Sequence, residues 1–227
     1  MADLSPTDRT RLTREKERGR RDRSELMALL DEAIIAHIGV IADQHPVVVP
    51  VAFAVDPDGP DEGGTIYVHG SVGAGWMRRA PGTDVCITVT ALDGLVLARS
   101  AFNHSMNYRC AVVIGRARRV EDAEERARAM SLTVDHVVPG RAATLRPNTP
   151  KELAATQMLA VPLHEASLKM RTGGVNDEPE DVAAGTWAGV LPLRLVAGAV
   201  ETDAETSEPV PDGVRRRAAA LGGSSGQ

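Results

Sequence analysis

The sequence predicts a mainly β domain: a mostly antiparallel barrel with a few added helices. Apolar residues alternate, or run in short β-branched segments, over much of the chain, as they do in strands. About seven such segments follow one another with few helical segments between them. Strands and helices do not alternate, and no GxGxxG motif opens a helix, which disfavours a Rossmann fold.

The first predicted elements follow a charged arm. Residues 1–22 are dense in charge and poor in apolar residues, so we predict a mobile arm there. Apolar residues then recur at helical spacing behind Ser24, a candidate N-cap. Two β-branched segments, 35–42 and 47–55, are separated by DQHP and predict a hairpin. TIYVHGS (65–71) predicts the next strand.

The middle of the chain predicts the centre of the barrel. Residues 73–80 predict a short helix, and DVCITVT (84–90) alternates as a strand. LDG (92–94) is typical of a tight turn, with LVLARSA (95–101) as the returning strand. The longest predicted strand is 108–120, whose second half alternates with arginine.

The C-terminal part predicts two further helices and the last strands. Residues 121–138 and 150–159 are helical in period, and the second segment begins with proline. Residues 161–174 and 187–200 are the expected last strands. The predicted organisation is an arm (1–22), one domain (23–200) and a polar, disordered tail (201–227).

Composition excludes some classes of function. The chain has 227 residues with 26 basic and 31 acidic side chains, a formal charge of −5. A general nucleic-acid binder needs a basic surface, so that class is disfavoured. Cys86 and Cys110 lie in apolar segments and are expected to be buried free thiols, with a disulfide as the alternative. No signal-like or membrane-spanning apolar segment is visible, so we expect a cytoplasmic protein.

The segment YVHGS is the first candidate site. Gly70 allows a close backbone approach, and Ser71 offers a hydroxyl and an N–H group near a helix start. Arg78, about two turns further on, is placed to neutralise a phosphate. Taken alone, the segment is explained better by a strand end capped by glycine and serine, with Ser71 as an N-cap.

The junction ARSAFNHSMNYR (98–109) is the second candidate. It joins two apolar strands through more residues than a hairpin needs, and it lacks glycine and proline. Hydrogen-bonding side chains fill it instead, which favours a bound ligand over turn geometry: Arg99, Ser100, Asn103, His104, Ser105, Asn107, Tyr108 and Arg109. The alternative is an ordinary loop anchored to the core by Phe102 and Met106.

Two strand cations form the third candidate. Lys169 and Arg171 share one face of a predicted strand, where they suit a phosphate or the electron-rich edge of a flavin. Solvated charges on a half-exposed strand are the alternative. The six histidines are scattered without metal-site spacing, so no metal site is predicted.

Together these segments resemble the pyridoxamine 5′-phosphate oxidase-like, FMN-binding split-barrel superfamily, in its branch related to nitroimidazole-resistance proteins. The resemblance covers about residues 20–195. It rests on HPVVVPVAF, YVHGS, EASLKMRTG and WAGVLPL, and on the long block WMRRAPGTDVCITVTALDGLVLARSAFNHSMNYRCAVVIGRARRV. It implies a split β-barrel of Greek-key type with peripheral helices, and a homodimer with FMN at the subunit interface.

The resemblance also implies site residues. Phosphate and ribitol contacts are expected from His69, Gly70, Ser71, Trp76 and Arg78. The junction would line the flavin through Ser100, His104, Asn107, Tyr108 and Arg109. Lys169, Arg171 and Thr172 would approach from the partner subunit.

The expected function is an FMN-dependent oxidoreductase that acts on a small molecule by hydride transfer at the flavin N5. The C-terminal arginine-rich substrate motif of true pyridoxamine phosphate oxidases has no counterpart here, so vitamin B6 oxidation is not expected. One alternative is a non-catalytic flavin or haem protein that stores or senses its cofactor, with His69 or His104 as the axial ligand. Another is a reductase that uses the deazaflavin F420.

Overall fold

The computed structural model describes residues 3–4 and 7–222. The strands are β1 (Gly19–Arg20), β2 (Ala36–Ala42), β3 (His45–Val51), β4 (Phe53–Asp56), β5 (Thr65–Ser71), β6 (Asp84–Leu97), β7 (Ser105–Arg116), β8 (Arg118–Arg119), β9 (Thr156–Pro162), β10 (Ala166–Arg171) and β11 (Gly189–Pro192). The α-helices are α1 (Arg23–Glu32), α2 (Gly75–Arg79), α3 (Ala123–Val137), α4 (Pro150–Ala155), α5 (Pro179–Ala183) and α6 (Asp212–Ala220). Two 3-10 turns lie at Lys16–Arg18 and Ala142–Thr144.

The strands form two antiparallel sheets, which confirms the predicted mainly β fold. The larger sheet has the order β1-β10-β7-β6-β2-β3, and β11 pairs with the second half of β6. The smaller sheet has the order β4-β5-β9-β8. The chain passes from the larger to the smaller sheet between β3 and β4, so the predicted second hairpin strand is divided at Ala52. The two sheets remain separate, as expected for a split barrel.

Helix α1 closes the core. Its buried residues Leu26, Leu29 and Leu30 pack on the inner face of the larger sheet. Each fully buried leucine stabilises the fold by about 1.5–3 kcal/mol. The helix begins two residues earlier than the sequence predicts, because Asp22 and not Ser24 is the N-cap. The Asp22 carboxylate accepts the N–H of Ser24 at 2.7 Å.

The predicted turn at residues 92–94 is wrong. Strand β6 runs without a break from Asp84 to Leu97 along β7, and the register shifts at a bulge between Leu92 and Gly94. A bulge and a turn share the same local signal, an Asp-Gly pair between apolar segments. Because β6 pairs with β7 on both sides of residues 92–94, the Asp-Gly pair forms a bulge and not a turn.

The C-terminal boundaries also differ from the prediction. The second predicted helix ends at Ala155, and residues 156–162 pair with β5 as strand β9, with Thr156 opposite Ser71. The predicted strand 161–174 is therefore shared between β9 and β10. Of the last predicted strand, 187–200, only Gly189–Pro192 pairs. Strand pairing overrides the helical period of TQML because residues 156–162 pair with β5 along their whole length, which satisfies backbone groups on that side.

Both termini carry structure where mobility or disorder is predicted. In the arm, Leu4 and Thr10 are buried, and the Arg9 guanidinium pairs with Asp84 at 2.8 Å and with Glu165. Strand β1 pairs with β10. The tail contains helix α6, while residues 223–227 lie outside the described residues. The division into one domain with two tails stays a prediction.

The structure also describes the two cysteines and tests for membrane-spanning helices. Cys86 and Cys110 are free thiols, half-buried on β6 and β7. Among the residues that the structure describes, no helix has the length and apolar character needed to cross a membrane.

Candidate functional site

The end of β5 packs closely on helix α2. A Cβ atom built on Gly70 would lie 2.7 Å from Cε of the buried Met77 and 3.4 Å from the Trp76 ring. A side chain at position 70 would displace the end of the Met77 side chain, so glycine favours this close approach. His69 and Ser71 point to the other face of the strand and are exposed.

The turn between β5 and α2 presents polar groups to solvent. The Ser71 hydroxyl accepts the N–H of Gly73 at 3.2 Å, and the Arg78 guanidinium donates to the Gly73 carbonyl at 2.8 Å. Arg78 is thereby held beside Ser71, while its other N–H groups remain available. The corner is suited to bind an anion through a hydroxyl and a guanidinium.

The long polar junction forms a compact exposed loop. The Nδ1–H of His104 donates to the Ser100 carbonyl at 2.8 Å, and the Asn103 N–H donates to the same carbonyl at 3.3 Å. Because Nδ1 carries the proton, Nε2 of the neutral ring is an acceptor. Phe102 is 94% exposed and Met106 is 50% exposed, so neither anchors the loop to the core.

The start of β7 and the end of β10 bring four of the predicted residues together. The Arg171 guanidinium donates to the Asn107 side-chain oxygen at 2.6 Å and to the Gly174 carbonyl at 3.1 Å. Asn107 in turn donates to the Gly173 carbonyl at 2.9 Å. Tyr108 lies opposite Arg171 in the strand register, and Thr172 follows it at the surface. We call Asn107, Tyr108, Arg171 and Thr172 the β7–β10 cluster.

Lys169 and Arg109 do not join the β7–β10 cluster. The Lys169 ammonium donates to the Arg14 carbonyl of the N-terminal arm at 3.4 Å. The Arg109 guanidinium pairs with Asp93 at the β6 bulge (2.8 Å, Nη2 to Oδ1) and with Glu32 at the end of α1 (2.8 Å, Nη2 to Oε1). These hydrogen bonds raise the pKa of Arg109, and the bond from Arg109 lowers the pKa of Glu32.

The predicted residues thus form two separate groups. His69, Gly70, Ser71, Trp76 and Arg78 lie at the β5–α2 corner, while Ser100, His104 and the β7–β10 cluster lie on the larger sheet. Among the described residues, no hydrogen bond or ion pair joins the two groups. Within the same residues there is no cluster of three or more His, Cys, Asp or Glu side chains able to hold a metal ion.

A cleft of about 270 Å³ opens beside His69 and escapes sequence prediction. Helix α3, the segment after it and β9 supply its walls. Most of these walls are apolar: Met130, Val134, Ala142, Leu145, Pro147 and Met158. Arg146 also lines the cleft and pairs with Glu152 at 2.6 Å. These residues come from distant segments without a shared motif, so only the docking of α3 reveals the cleft.

Two ion pairs dock α3 on the smaller sheet. Arg128 of α3 pairs with the buried Asp56 of β4, and its hydrogen bonds lower the pKa of that carboxyl group. Glu125 accepts the Tyr67 hydroxyl proton at 2.9 Å and a hydrogen bond from Arg118 at 3.0 Å. These contacts fix the position of the cleft wall.

Comparison with known proteins assigns the family. A family model described as pyridoxamine 5′-phosphate oxidase matches residues 22–170. The chain belongs to this family. No curated protein matches the chain.

Several solved structures of similar fold extend the comparison. The flavocytochrome Anf3 from Azotobacter vinelandii is 35% identical, covers 93% of this chain and 97% of its own, and has a TM-score of 0.85. A FAD and haem binding protein from Mycobacterium smegmatis is 38% identical over 88% of this chain and 97% of its own, with a TM-score of 0.80. A candidate 5-nitroimidazole antibiotic resistance protein from Bacteroides thetaiotaomicron shares the fold at 21% identity over 66% of this chain and 85% of its own, with a TM-score of 0.54.

Proposed function

We propose that this member of the pyridoxamine 5′-phosphate oxidase family is a cytoplasmic flavin-dependent oxidoreductase that works as a homodimer on a small molecule. One observation carries the proposal. The chain exposes two donor-rich groups, the β5–α2 corner and the β7–β10 cluster, which do not contact each other within one chain. We interpret the two groups as the two halves of one cofactor site. A second copy of the chain would bring the corner of one chain to the cluster of the other.

The β5–α2 corner fits the phosphate end of a flavin nucleotide. Ser71 and Arg78 supply a hydroxyl and a guanidinium side by side, which suits a phosphate group. Gly70 lets the strand approach α2 without a side chain between them. Arg78 is exposed, so a phosphate reaches it without rearrangement of the core.

The β7–β10 cluster fits the ring end. A bound flavin would supply hydride transfer at its N5. The Arg171 guanidinium, held in place by Asn107 and Gly174, would stabilise negative charge on the reduced ring. His104 offers an acceptor nitrogen nearby in the sequence. Such a site needs aligned donors more than a general base.

A second copy of the chain is the proposed source of the missing contacts. Several large apolar side chains are exposed on the larger sheet and its loops: Ile41, Val48, Leu92, Phe102 and Met106. A contiguous apolar patch marks an interface, and we propose that these side chains contribute to one. A twofold dimer would present each group of donors to the other chain.

The cofactor is tested by absorbance and titration. The purified protein should show visible flavin bands, and FMN, FAD and F420 are titrated in parallel because one relative is described as binding FAD. Arg78→Ala should weaken flavin binding by about 1.5–3 kcal/mol, or roughly 10- to 150-fold. Arg79→Ala is the matched control, because Arg79 pairs with Asp43 instead. A colourless protein whose addition leaves flavin fluorescence unchanged would overturn the proposal.

Catalysis is tested separately from binding. NADH and NADPH are offered anaerobically to the flavin-loaded protein, and bleaching of the flavin bands is followed. Bleaching supports an oxidoreductase. A flavin that binds but is reduced by neither donor favours the non-catalytic alternative, a protein that stores or senses its cofactor.

The cleft beside His69 supports a second candidate, haem binding. It combines an exposed imidazole, apolar walls and the Arg146 guanidinium. The His69 imidazole makes no hydrogen bond to another described residue, so either ring nitrogen is available to a ligand. A bound haem would supply one-electron chemistry at its iron. Two relatives are described as a flavocytochrome and as a FAD and haem binding protein.

The haem candidate has its own test. The protein is expressed with added haem precursor, and the Soret band is measured. His69→Ala should abolish the band, and His104→Ala should leave it unchanged. Loss of the band in His104→Ala alone would show that the axial ligand lies in the polar junction and not in the cleft.

A further inference from the structure

A second cavity lies between the N-terminal arm and the edge of the larger sheet. It measures about 440 Å³ and is lined by residues 4, 10–12, 16 and 19–21 of the arm and by residues 166–168 of β10. Its apolar surface includes Leu4, Leu12 and Leu168, of which Leu4 and Leu168 are buried in the core. None of its lining residues belongs to the β5–α2 corner or the β7–β10 cluster.

The arm is held in place at several points around this cavity. Strand β1 pairs with β10, and the Leu4 N–H donates to the Arg21 carbonyl at 2.6 Å. A Cβ atom on Gly19 would lie 2.9 Å from the Leu12 side chain and 3.1 Å from the Lys16 carbonyl. Only glycine lets the arm fold this tightly against its own strand. These contacts fix the arm against β10 and so define the walls of the cavity.

Four cations and no carboxylate line the cavity. Arg11 pairs with Asp8 at 2.9 Å, but Asp8 is 93% exposed, and Arg20 lies 3.9 Å from Glu25. Such exposed pairs contribute little. In the described part of the chain, Lys16 and Arg21 have no carboxylate within 4.0 Å. The charged side chains among the described lining residues are thus all cationic, in a protein whose formal charge is −5.

We infer that this cavity binds an amphiphilic anion: a carboxylate or phosphate monoester on a single aliphatic chain. The unpaired cations Lys16 and Arg21 provide a counter-charge for the head group, because opposite charges attract strongly beside apolar surface. The half-buried Leu12 provides most of the apolar contact for the tail, because Leu4 and Leu168 line the cavity but are almost fully buried. The cavity is larger than an inorganic anion needs, and its apolar lining gives no advantage to an ion without a tail.

The inference is tested by calorimetry on the full-length protein with octyl phosphate and sodium octanoate as probes. At least one probe should bind saturably. Binding should weaken about tenfold or more in Lys16→Gln/Arg21→Gln, which removes two charge-assisted contacts. Arg14→Gln/Lys151→Gln changes the net charge equally outside the cavity lining and should leave the affinity within about twofold.

Three results would overturn the inference: no saturable binding of either probe, equal losses in the two double variants, or inorganic phosphate binding as tightly as octyl phosphate. The urea midpoint of each variant is measured as the folding control, because it does not depend on flavin binding. The cavity shares no described residue with the proposed flavin site, so failure of the flavin proposal would leave this result unaffected.

Discussion

The carboxylate of Asp177 holds the polar junction through Arg99. The Arg99 backbone N–H lies 3.1 and 3.2 Å from the two carboxylate oxygens, and its guanidinium donates to Oδ2 at 2.9 Å. The Asp177 side chain is only 1% exposed. An acidic residue of the segment after β10 therefore fixes the loop that carries Ser100 and His104.

Replacing Asp177 should loosen this loop. Asp177→Ala leaves a backbone amide and a half-buried guanidinium without their partner, so the free energy of unfolding should fall by about 2–3 kcal/mol. Urea titration measures the loss. Glu178→Ala is the control, because that exposed side chain makes no cap hydrogen bond, and it should cost less than about 0.5 kcal/mol. Equal stability of the two variants would contradict this account.

A side chain at position 70 should disturb the β5–α2 corner. In Gly70→Ala the new Cβ atom would lie 2.7 Å from Met77 Cε, so Met77 or α2 must move at a cost of about 1–3 kcal/mol. Flavin affinity should fall with it, because Arg78 is carried by the same helix. Gly73→Ala meets only Ser71 Oγ, at 3.5 Å, and should be nearly neutral in both urea and flavin titrations.

Arg109 should contribute more to the stability of the protein than to flavin binding. In Arg109→Gln the carboxylates of Glu32 and Asp93 lose their shared partner, so the apoprotein should be destabilised by about 1–3 kcal/mol. Flavin affinity should change less than about threefold. Arg116→Gln, at the exposed end of β7, serves as control. A large loss of affinity at unchanged stability would instead place Arg109 against the flavin.

His136 should make stability depend on pH. Burial lowers the pKa of His136 below its ordinary value, while the ring donates to the Ala33 carbonyl at 2.7 Å and packs on Phe53 at 4.5 Å. The unfolded chain then takes up the proton first, so stability is full above about pH 6.5 and falls as the pH drops below it.

This dependence is measured as the urea midpoint at about pH 7.5 and pH 5.5. His136→Gln should reduce the difference between the two midpoints. His45→Gln is the control, because His45 is exposed and should retain the full difference. A wild-type protein that gains stability on acidification through this range would show that the sign is wrong.

Local patterns predicted some elements of the candidate site well. Strand β5 and helix α2 follow from alternation and from the Gly-Ser pair at the end of β5, since both signals act within a few residues. The bulge in β6 could not be predicted, because an Asp-Gly pair is compatible with a bulge or a turn. Only the pairing of β6 with β7 along its whole length shows that the Asp-Gly pair forms a bulge.

The sequence by itself determined the strand periodicity, the first helix, the donor-rich junction and the resemblance that the family match confirms. The tertiary structure decided which donors remain available. Arg171 binds Asn107, Lys169 reaches the arm, and Arg109 is paired with a carboxylate 77 residues away. The reason is physical: strand propensity is local, whereas ion pairing and the walls of a cleft depend on sheet register and helix docking between distant segments.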